Sequence, residues 1–127
     1  MSDPDLFAFG QTLGALRRHG ILIMASGTLT HNLATMGADS SGPPASWAKD
    51  FDAWYVDAAQ ARDVQRLINW RDAPAARLAH PDDGGHYRVG LIALGASVGD
   101  STASAPATFP ISGFKGAFSS TRSTQFG

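Results

Sequence analysis

Four histidines are the residues of this sequence best suited to chemistry: His19, His31, His80 and His86. The chain has no cysteine, which excludes disulfides and thiolate metal sites, and it contains no nucleophile-elbow, zinc-protease or phosphate-loop motif. A neutral imidazole can act as a base or hold a metal ion. The sequence around each histidine therefore decides which of the four are candidates.

His31 follows an apolar run and a glycine turn. Residues 21–25, Ile-Leu-Ile-Met-Ala, predict a short strand buried on both faces of a parallel sheet, and residues 26–27, Ser-Gly, then turn the chain. Open α/β sheets bind ligands beyond the carboxyl ends of their strands, and the positive end of a helix dipole keeps a first-turn histidine neutral. The pattern indicates either a catalytic or ligating His31, or a capped turn in which His31 only shields the helix start.

His86 has a similar setting. The glycines at 84–85 leave room in front of a predicted helix that begins near His86 and carries Tyr87, Leu91 and Leu94 on one stripe. The two readings are a functional imidazole at the helix start and an exposed first-turn residue.

Structural roles explain the other titratable residues more simply. His19 is expected at the end of the first helix, as a dipole partner or solvated residue, and His80, before Pro81, is expected to be an exposed loop residue. Asp82 and Asp83 could ligate a metal, but a helix N-cap explains Asp83 at less cost. Four more acidic residues are expected on solvated faces or as caps: Asp50, Asp52, Asp57 and Asp63.

The remaining pattern is that of an α/β protein. A helix should begin at residues 3–4, with Asp3 as its N-cap, and should bury an apolar face. Ser46 and Asp63 can each cap a further helix, or these two helices run together as one, and one or two weak strands should form in the tail. The expected buried face of the first helix comprises Leu6, Phe9, Leu13 and Leu16.

Loops are expected at 37–45 and 97–107, the second of them flexible. The whole, residues 1–127, is predicted to be a single domain in which a partial mixed or parallel sheet is flanked by helices.

Composition narrows the function classes. A net charge of −1 over 127 residues, with no long basic run, gives no reason to expect a nucleic-acid or membrane partner. The N-terminus is acidic where a signal peptide is basic, and the apolar runs are too short to span a bilayer. The sequence predicts a soluble cytoplasmic protein.

Three segments and the chain's ending carry a family resemblance. They are L-R-R-H-G-I-L-I-M-A-S-G-T-L-T-H-N-L, W-A-K-D-F-D-A-W, H-P-D-D-G-G-H-Y-R-V-G-L-I-A-L-G-A and F-P-I-S-G-F-K-G-A-F-S-S-T-R-S-T-Q-F-G. In this order they resemble the C-terminal half of class III extradiol ring-cleavage dioxygenases, and the DOPA 4,5-dioxygenase type most of all. The resemblance covers nearly the whole chain.

The resemblance implies a non-haem metal enzyme that opens a catechol ring beside its diol and inserts both atoms of O₂. The cofactor it implies is Fe(II), with zinc possible. By position, His31 matches the active-site acid/base histidine, which can also approach the metal, and His86 matches a metal-site histidine. This chain has one extra residue before His86, and residues 88–90, Arg-Val-Gly, replace the more usual Leu-Pro-Leu.

The family's other two metal histidines come from a Gly-His-Gly turn and a Ser-Ala-His-Trp strand end, and neither occurs here. Two histidines cannot form a facial triad around Fe(II). We therefore expect a chain that is inactive alone and that associates with itself or with a complementary N-terminal half. The alternatives are a non-catalytic binding module that keeps the dioxygenase fold and, less favoured, an anion-binding module at residues 27–32.

Overall fold

The computed structural model describes residues 1–35, 41–102 and 104–127. Its helices are α1 (Asp3–Arg17), α2 (Ser46–Gln60), α3 (Val64–Ile68), α4 (Ala76–Ala79) and α5 (Gly85–Gly99). Short 3₁₀ turns cover Leu33–Thr35 and Trp70–Asp72, and strands β1 (Phe114–Lys115) and β2 (Ser119–Ser120) lie near the end of the chain. The result is a helix-dominated α/β fold.

The first helix begins as the sequence predicts, but with a different cap. Ser2 is the N-cap, and it forms a capping box with Asp5, in which each side chain accepts from the other residue's backbone N–H. Pro4 occupies the first turn. Asp3, the expected cap, is instead buried and bonded to distant side chains, because its carboxylate points into the molecule and away from the helix end.

Helices α1 and α5 pack through glycines. Gly10 and Gly14 of α1 face Gly95 and Gly99 of α5, and a Cβ added at any of the four would come within 2.2–2.3 Å of backbone atoms of the other helix. Only glycine permits such close backbone contact. The apolar face predicted to be buried is partly open, since Phe9 is 46% exposed and Leu16 is 38% exposed.

The hydrophobic core lies among α2, α3, α4 and α5. Its stripe on α5 is the predicted one, because Tyr87, Leu91 and Leu94 are all buried. Ser46 begins α2 but caps nothing, since Ala45 is the N-cap, whereas Asp63 caps α3 as predicted by accepting from the Arg66 N–H. The other large core residues are Phe51, Leu67, Ile68 and Trp70.

The segment at 21–25 differs most from its prediction. It belongs to no strand in the described structure, and Leu22 and Met24 are 77% and 79% exposed. The expected buried strand of a parallel sheet is therefore not formed, because no partner strand lies beside this segment in the described parts of the chain. The sheet that is present is the antiparallel pair β1–β2, which pairs Phe114 with Ser120.

The predicted loops are only partly described. Residues 36–40, within or beside the loop expected at 37–45, and residue 103 lie outside the described residues. Helix α5 continues to Gly99 and buries Ser97 completely, so the loop expected from 97 begins later than predicted. Within the described ranges, no helix is both long enough and apolar enough to cross a bilayer.

Candidate functional site

His31 and His86 lie against each other. Their rings stack with centroids 3.7 Å apart and planes 11° apart. The two histidines are separated by more than fifty residues of chain, so the fold brings together the pair that the sequence singled out. His31 is mostly buried and His86 is exposed.

Backbone and side-chain hydrogen bonds hold the His31 loop in place. The His31 N–H donates to the Ala79 carbonyl oxygen (2.8 Å), and the Asn32 side-chain amide donates to the Leu78 carbonyl oxygen (2.8 Å). The residue before His31, Thr30, is fully buried, and its hydroxyl donates to the Phe118 carbonyl oxygen (2.9 Å). The sequence predicted His31 in the first turn of an α-helix. The structure instead places it just before a 3₁₀ turn.

Two close approaches hold His86 at the start of α5. Gly84 has a left-handed backbone (φ 75°) and lies against the Trp70 ring, where a Cβ would come within 2.2 Å. Gly27 similarly lies against the His86 backbone, with a Cβ position 2.1 Å from the His86 carbonyl oxygen. The His86 Nδ1 then lies 3.3 Å from the Thr28 hydroxyl. The glycines beside each histidine therefore allow the two loops to meet.

The acidic pair before α5 binds the backbone of the same turn. Asp82 accepts from the Gly84 N–H (2.9 Å), and Asp83 accepts from the Gly85 N–H (3.0 Å). Asp83 thus bonds the first residue of α5, although Gly84 occupies the N-cap position itself. The other Asp82 carboxylate oxygen lies 3.9 Å from the His31 Nδ1, which makes Asp82 the nearest of the described carboxylates to that ring nitrogen.

His80 supports the site from the core, contrary to the prediction of an exposed loop residue. It is only 3% exposed, and it is surrounded by the rings of Phe51, Trp70 and Tyr87, with centroids 5.3–6.0 Å away. Its Nε2 lies 2.8 Å from the Leu29 carbonyl oxygen, which assigns the proton to Nε2 in the neutral ring. The sequence next to Pro81 did not reveal this environment, because the Leu29 carbonyl that the ring meets lies fifty-one residues away in sequence.

The pH dependence of stability should report on His80. Burial lowers the pKa of His80 below its ordinary value of 6.5. As the pH falls through about 6.5, the unfolded chain therefore binds a proton at His80 that the folded chain does not bind. The contribution of His80 to the free energy of unfolding is complete above that pH and declines as the pH falls toward the folded pKa. We expect His80→Gln to remove up to about 1.4 kcal/mol per pH unit of this slope. Urea unfolding at pH 7.5 and 5.5 measures it.

His19→Gln is the control for this measurement, because His19 is exposed at the end of α1. It should leave the slope unchanged. Equal slopes in the His80→Gln variant and the unmodified chain would show that His80 is not held neutral by the fold.

Asp3 ties the start of α1 to the start of α5. Its carboxylate accepts from the Trp70 indole N–H (3.0 Å), from Arg71 and from the Arg88 Nε (2.6 Å). Arg88 lies two residues after His86, so this buried network fixes the helix turn that carries the imidazole. Sequence reasoning missed it because the partners of Asp3 lie more than sixty residues away in the chain.

A groove begins beside His86. It has a volume of about 890 Å³ and runs between residues 20–29 and α5, with residues 122–126 along its wall. Much of the lining is apolar, and His86 is the histidine that opens onto it.

The two histidines fit part of a metal site. The His31 Nδ1 is buried and has no hydrogen-bond partner among the described residues, which suits a nitrogen that awaits a ligand or a proton. Within the described part of the chain, however, no three histidine, aspartate or glutamate residues are grouped so as to hold an ion. The stacking also places the two imidazoles close enough to act at one site.

Comparisons with known proteins agree on one group. Residues 1–118 match the family described as the catalytic LigB subunit of aromatic ring-opening dioxygenase. A 4,5-DOPA dioxygenase extradiol of Escherichia coli K12 is 34% identical over 125 residues, which are 95% of this chain and 44% of the relative. A dioxygenase of Hapsidospora irregularis is 33% identical over 94 residues, 66% of this chain and 29% of that protein.

Structural similarity extends over the whole chain. The crystal structure of an uncharacterized Escherichia coli K12 protein superposes with a TM-score of 0.84 and 32% sequence identity, covering 100% of this chain and 51% of that one. The present chain therefore spans no more than about half the length of the proteins it resembles.

Proposed function

Because the chain belongs to the LigB family of aromatic ring-opening dioxygenases, a class III extradiol type, we propose that His31 and His86 form part of an extradiol dioxygenase site. The substrate is a catechol of the DOPA type, which reacts with O₂. The observation that carries the proposal is the stacked His31–His86 pair at the end of a groove. The described residues hold no complete ligand set, and the proposal takes the rest of the metal site from outside them.

In this proposal His86 holds the metal. It is exposed, and its Nδ1 faces Thr28, which leaves Nε2 free to ligate. The metal would be Fe(II) or zinc, and it would supply Lewis acidity toward a catechol and, as Fe(II), redox chemistry with O₂. The fixed start of α5 sets the direction of the His86 ring.

His31 acts as the acid/base. Its Nδ1 is buried 3.9 Å from Asp82, so a proton held on Nδ1 lies toward that carboxylate and leaves Nε2 to accept the proton of a catechol hydroxyl. The carboxylate stabilises the imidazolium that results. The His31 backbone bond to Ala79 and the bond of the buried Thr30 hydroxyl to Phe118 hold the loop that carries the ring.

Separate variants of the two histidines test these roles. The chain is combined with the part of the Escherichia coli relative outside its match to this chain, then given Fe(II), DOPA and O₂, and the yellow ring-opened product is followed. His31→Ala should keep the metal and lose about 10²–10⁴-fold in kcat. His86→Ala should lose metal content as well as activity.

His19→Ala is the control and should retain both metal content and activity, because His19 lies exposed at the far end of α1. Full activity in the His31→Ala, His86→Ala double variant would remove the proposed function. Metal content, measured by elemental analysis, gives a result that does not depend on turnover.

A non-catalytic binding module remains the second candidate, favoured by the absence of a three-ligand group among the described residues. It predicts stoichiometric capture of a partner with an affinity that His31→Ala leaves unchanged and that needs no metal. Metal uptake that depends on His86 would exclude it.

A further inference from the structure

Residues 78–80, at the end of α4, bind the loop that carries His31. Two of the hydrogen bonds end on carbonyl oxygens of this segment, and they are Asn32 side-chain amide to Leu78 (2.8 Å) and His31 N–H to Ala79 (2.8 Å). The third uses a side chain, because the His80 Nε2–H donates to the Leu29 carbonyl oxygen (2.8 Å). The loop is therefore held on both sides of His31 by three successive residues.

The bond from His80 differs from the other two because it depends on the identity of the residue. Any residue at positions 78 and 79 offers a backbone carbonyl, whereas only a side chain with a suitably placed N–H can donate to Leu29. This bond is buried. Without the imidazole, the Leu29 carbonyl oxygen would lose its donor in a place where water does not easily replace it.

His80 also contacts the helix that carries the other histidine. Its ring meets the Tyr87 ring edge to face, with centroids 6.0 Å apart, and Tyr87 directly follows His86 in α5. Tyr87 is itself fixed, because it is 5% exposed and its hydroxyl donates to the Leu67 carbonyl oxygen (2.9 Å). One buried ring therefore touches both a residue just before His31 and the residue just after His86.

We propose that His80 is a positioning residue that holds His31 in register with His86. It binds the His31 loop through Nε2 and packs on the start of α5 with its ring, so it fixes the two elements relative to each other. The stacked pair needs such support, because His86 is exposed and aromatic pairs gain little from stacking beyond their buried area. The 3.7 Å spacing of the pair is then set from the core.

His80 acts in this way without touching the reactants. It is 3% exposed, and its Nε2 is occupied by the Leu29 carbonyl oxygen. The rings of Phe51 and Trp70, with centroids 5.6 and 5.3 Å away, restrict its movement further. A side chain so enclosed can influence the chemistry only through the residues that it holds.

The inference deepens the proposed function and rests on it for one consequence, which is that the spacing of the two imidazoles governs turnover. The spacing itself can be measured without metal, substrate or a complementary chain. NMR of the imidazole rings therefore tests the role of His80, while metal content and product formation test the function.

Two substitutions separate the N–H donor from the bulk of the side chain. His80→Leu keeps an apolar side chain in the core but removes the donor, so the ring-proton shifts of His31 and His86 should move toward those of the exposed His19. His80→Gln is the conservative variant, because its amide nitrogen reaches about as far as Nε2 and can donate to Leu29. It should keep the ring-proton shifts of the unmodified chain.

Kinetics give the second measurement, on the chain combined with the unmatched part of the Escherichia coli relative. His80→Leu should lower kcat about 10²-fold, the effect of a displacement of about 1 Å at a reacting group. The metal content and KM should change little, because His86 still ligates. His80→Gln should recover most of kcat.

Ile68→Ala is the matched control for a loss of stability alone. Ile68 is a core residue of α3 that is 8% exposed, so its truncation lowers the free energy of unfolding without removing a bond to the His31 loop. It should leave the ring-proton shifts of the histidine pair unchanged. Shifts that move as far in Ile68→Ala as in His80→Leu would overturn the inference.

Two further results would overturn it. One is unchanged ring-proton shifts in a folded His80→Leu protein, and the other is a His80→Gln protein that behaves like His80→Leu. If His80→Leu does not fold, the ¹⁵N shifts of His80 in the unmodified chain still test the inference, since a proton found on Nδ1 instead of Nε2 removes the bond to Leu29. Shifts that respond to His80 as expected, in a combined protein that forms no product, would instead reject the proposed function and leave the positioning role in place.

Discussion

Gly95→Ala should lower the free energy of unfolding by about 3 kcal/mol, at the upper end of the range for overpacking. A Cβ at Gly95 would lie 2.2 Å from the Phe7 carbonyl oxygen and 3.0 Å from the Gly10 Cα. Both atoms belong to the α1 backbone, so no side chain can rotate away and the two helices must separate. Urea denaturation, with the slope compared between variants, measures the loss.

Gly90→Ala is the control on the same helix. An added Cβ at Gly90 meets nothing within 4 Å, so this variant keeps only the gain in helix propensity and should be more stable by up to about 1 kcal/mol. Changes of opposite sign in the free energy of unfolding, a loss for Gly95→Ala and a gain for Gly90→Ala, would establish the glycine contact. Similar small changes at both positions would show that α1 and α5 are not so closely packed.

The glycine contact explains why the first helix was only half predictable. Its length and Pro4 follow from local rules, and so does its beginning near residue 3. Its buried face was predicted from the spacing of Leu6, Phe9, Leu13 and Leu16, since an apolar stripe usually marks the core. Here the closest approach between α1 and α5 is made by glycines of both helices. Of the large residues of α1, Leu6 and Phe7 pack against the core but stay only partly buried.

The candidate site was predictable because its signals are local. A glycine turn before His31 and a glycine pair before His86 both indicate backbone that approaches another part of the molecule closely. The structure places the two rings 3.7 Å apart. Their catalytic and metal-binding roles remain proposals, because stacking shows proximity and not chemistry.

The supporting residues were missed because their partners are remote in sequence. Asp52 was expected on a solvated face or as a cap, yet it is 6% exposed and pairs with Arg122, seventy residues later. No spacing rule within α2 distinguishes a carboxylate that meets an arginine of the tail from one that meets water.

The segment at 21–25 shows the opposite case. Its composition is that of a buried strand, and the structure exposes it because the described residues contain nothing to cover it. The local sequence indicates the environment that suits the segment, which is a covered sheet. The structure shows the environment that the described part of this chain provides, in which the segment is exposed.

Asp52→Asn should cost about 3–5 kcal/mol, the range for breaking a buried ion pair. The Asp52 carboxylate accepts from the Arg122 Nε (2.8 Å) and Nη2 (2.6 Å) and from the Ser120 hydroxyl (2.7 Å). This bonding raises the pKa of Arg122, and an arginine guanidinium stays charged in proteins even when its partner is neutralised. A mostly buried cation then lacks a counter-charge, and urea denaturation should record the loss.

Asp57→Asn is the matched control, the same substitution on the same helix in an exposed pair with Arg66, and it should cost no more than about 1 kcal/mol.

The buried variant should also disturb the histidine pair. Ser120 donates its N–H to the Thr30 hydroxyl (2.8 Å), and Thr30 immediately precedes His31. Loosening Ser120 therefore frees the His31 loop, and the ring-proton NMR shifts of both histidines should move toward unstacked values in Asp52→Asn and stay fixed in Asp57→Asn. Unchanged shifts in a destabilised Asp52→Asn protein would mean that the Ala79 bond alone positions the imidazole.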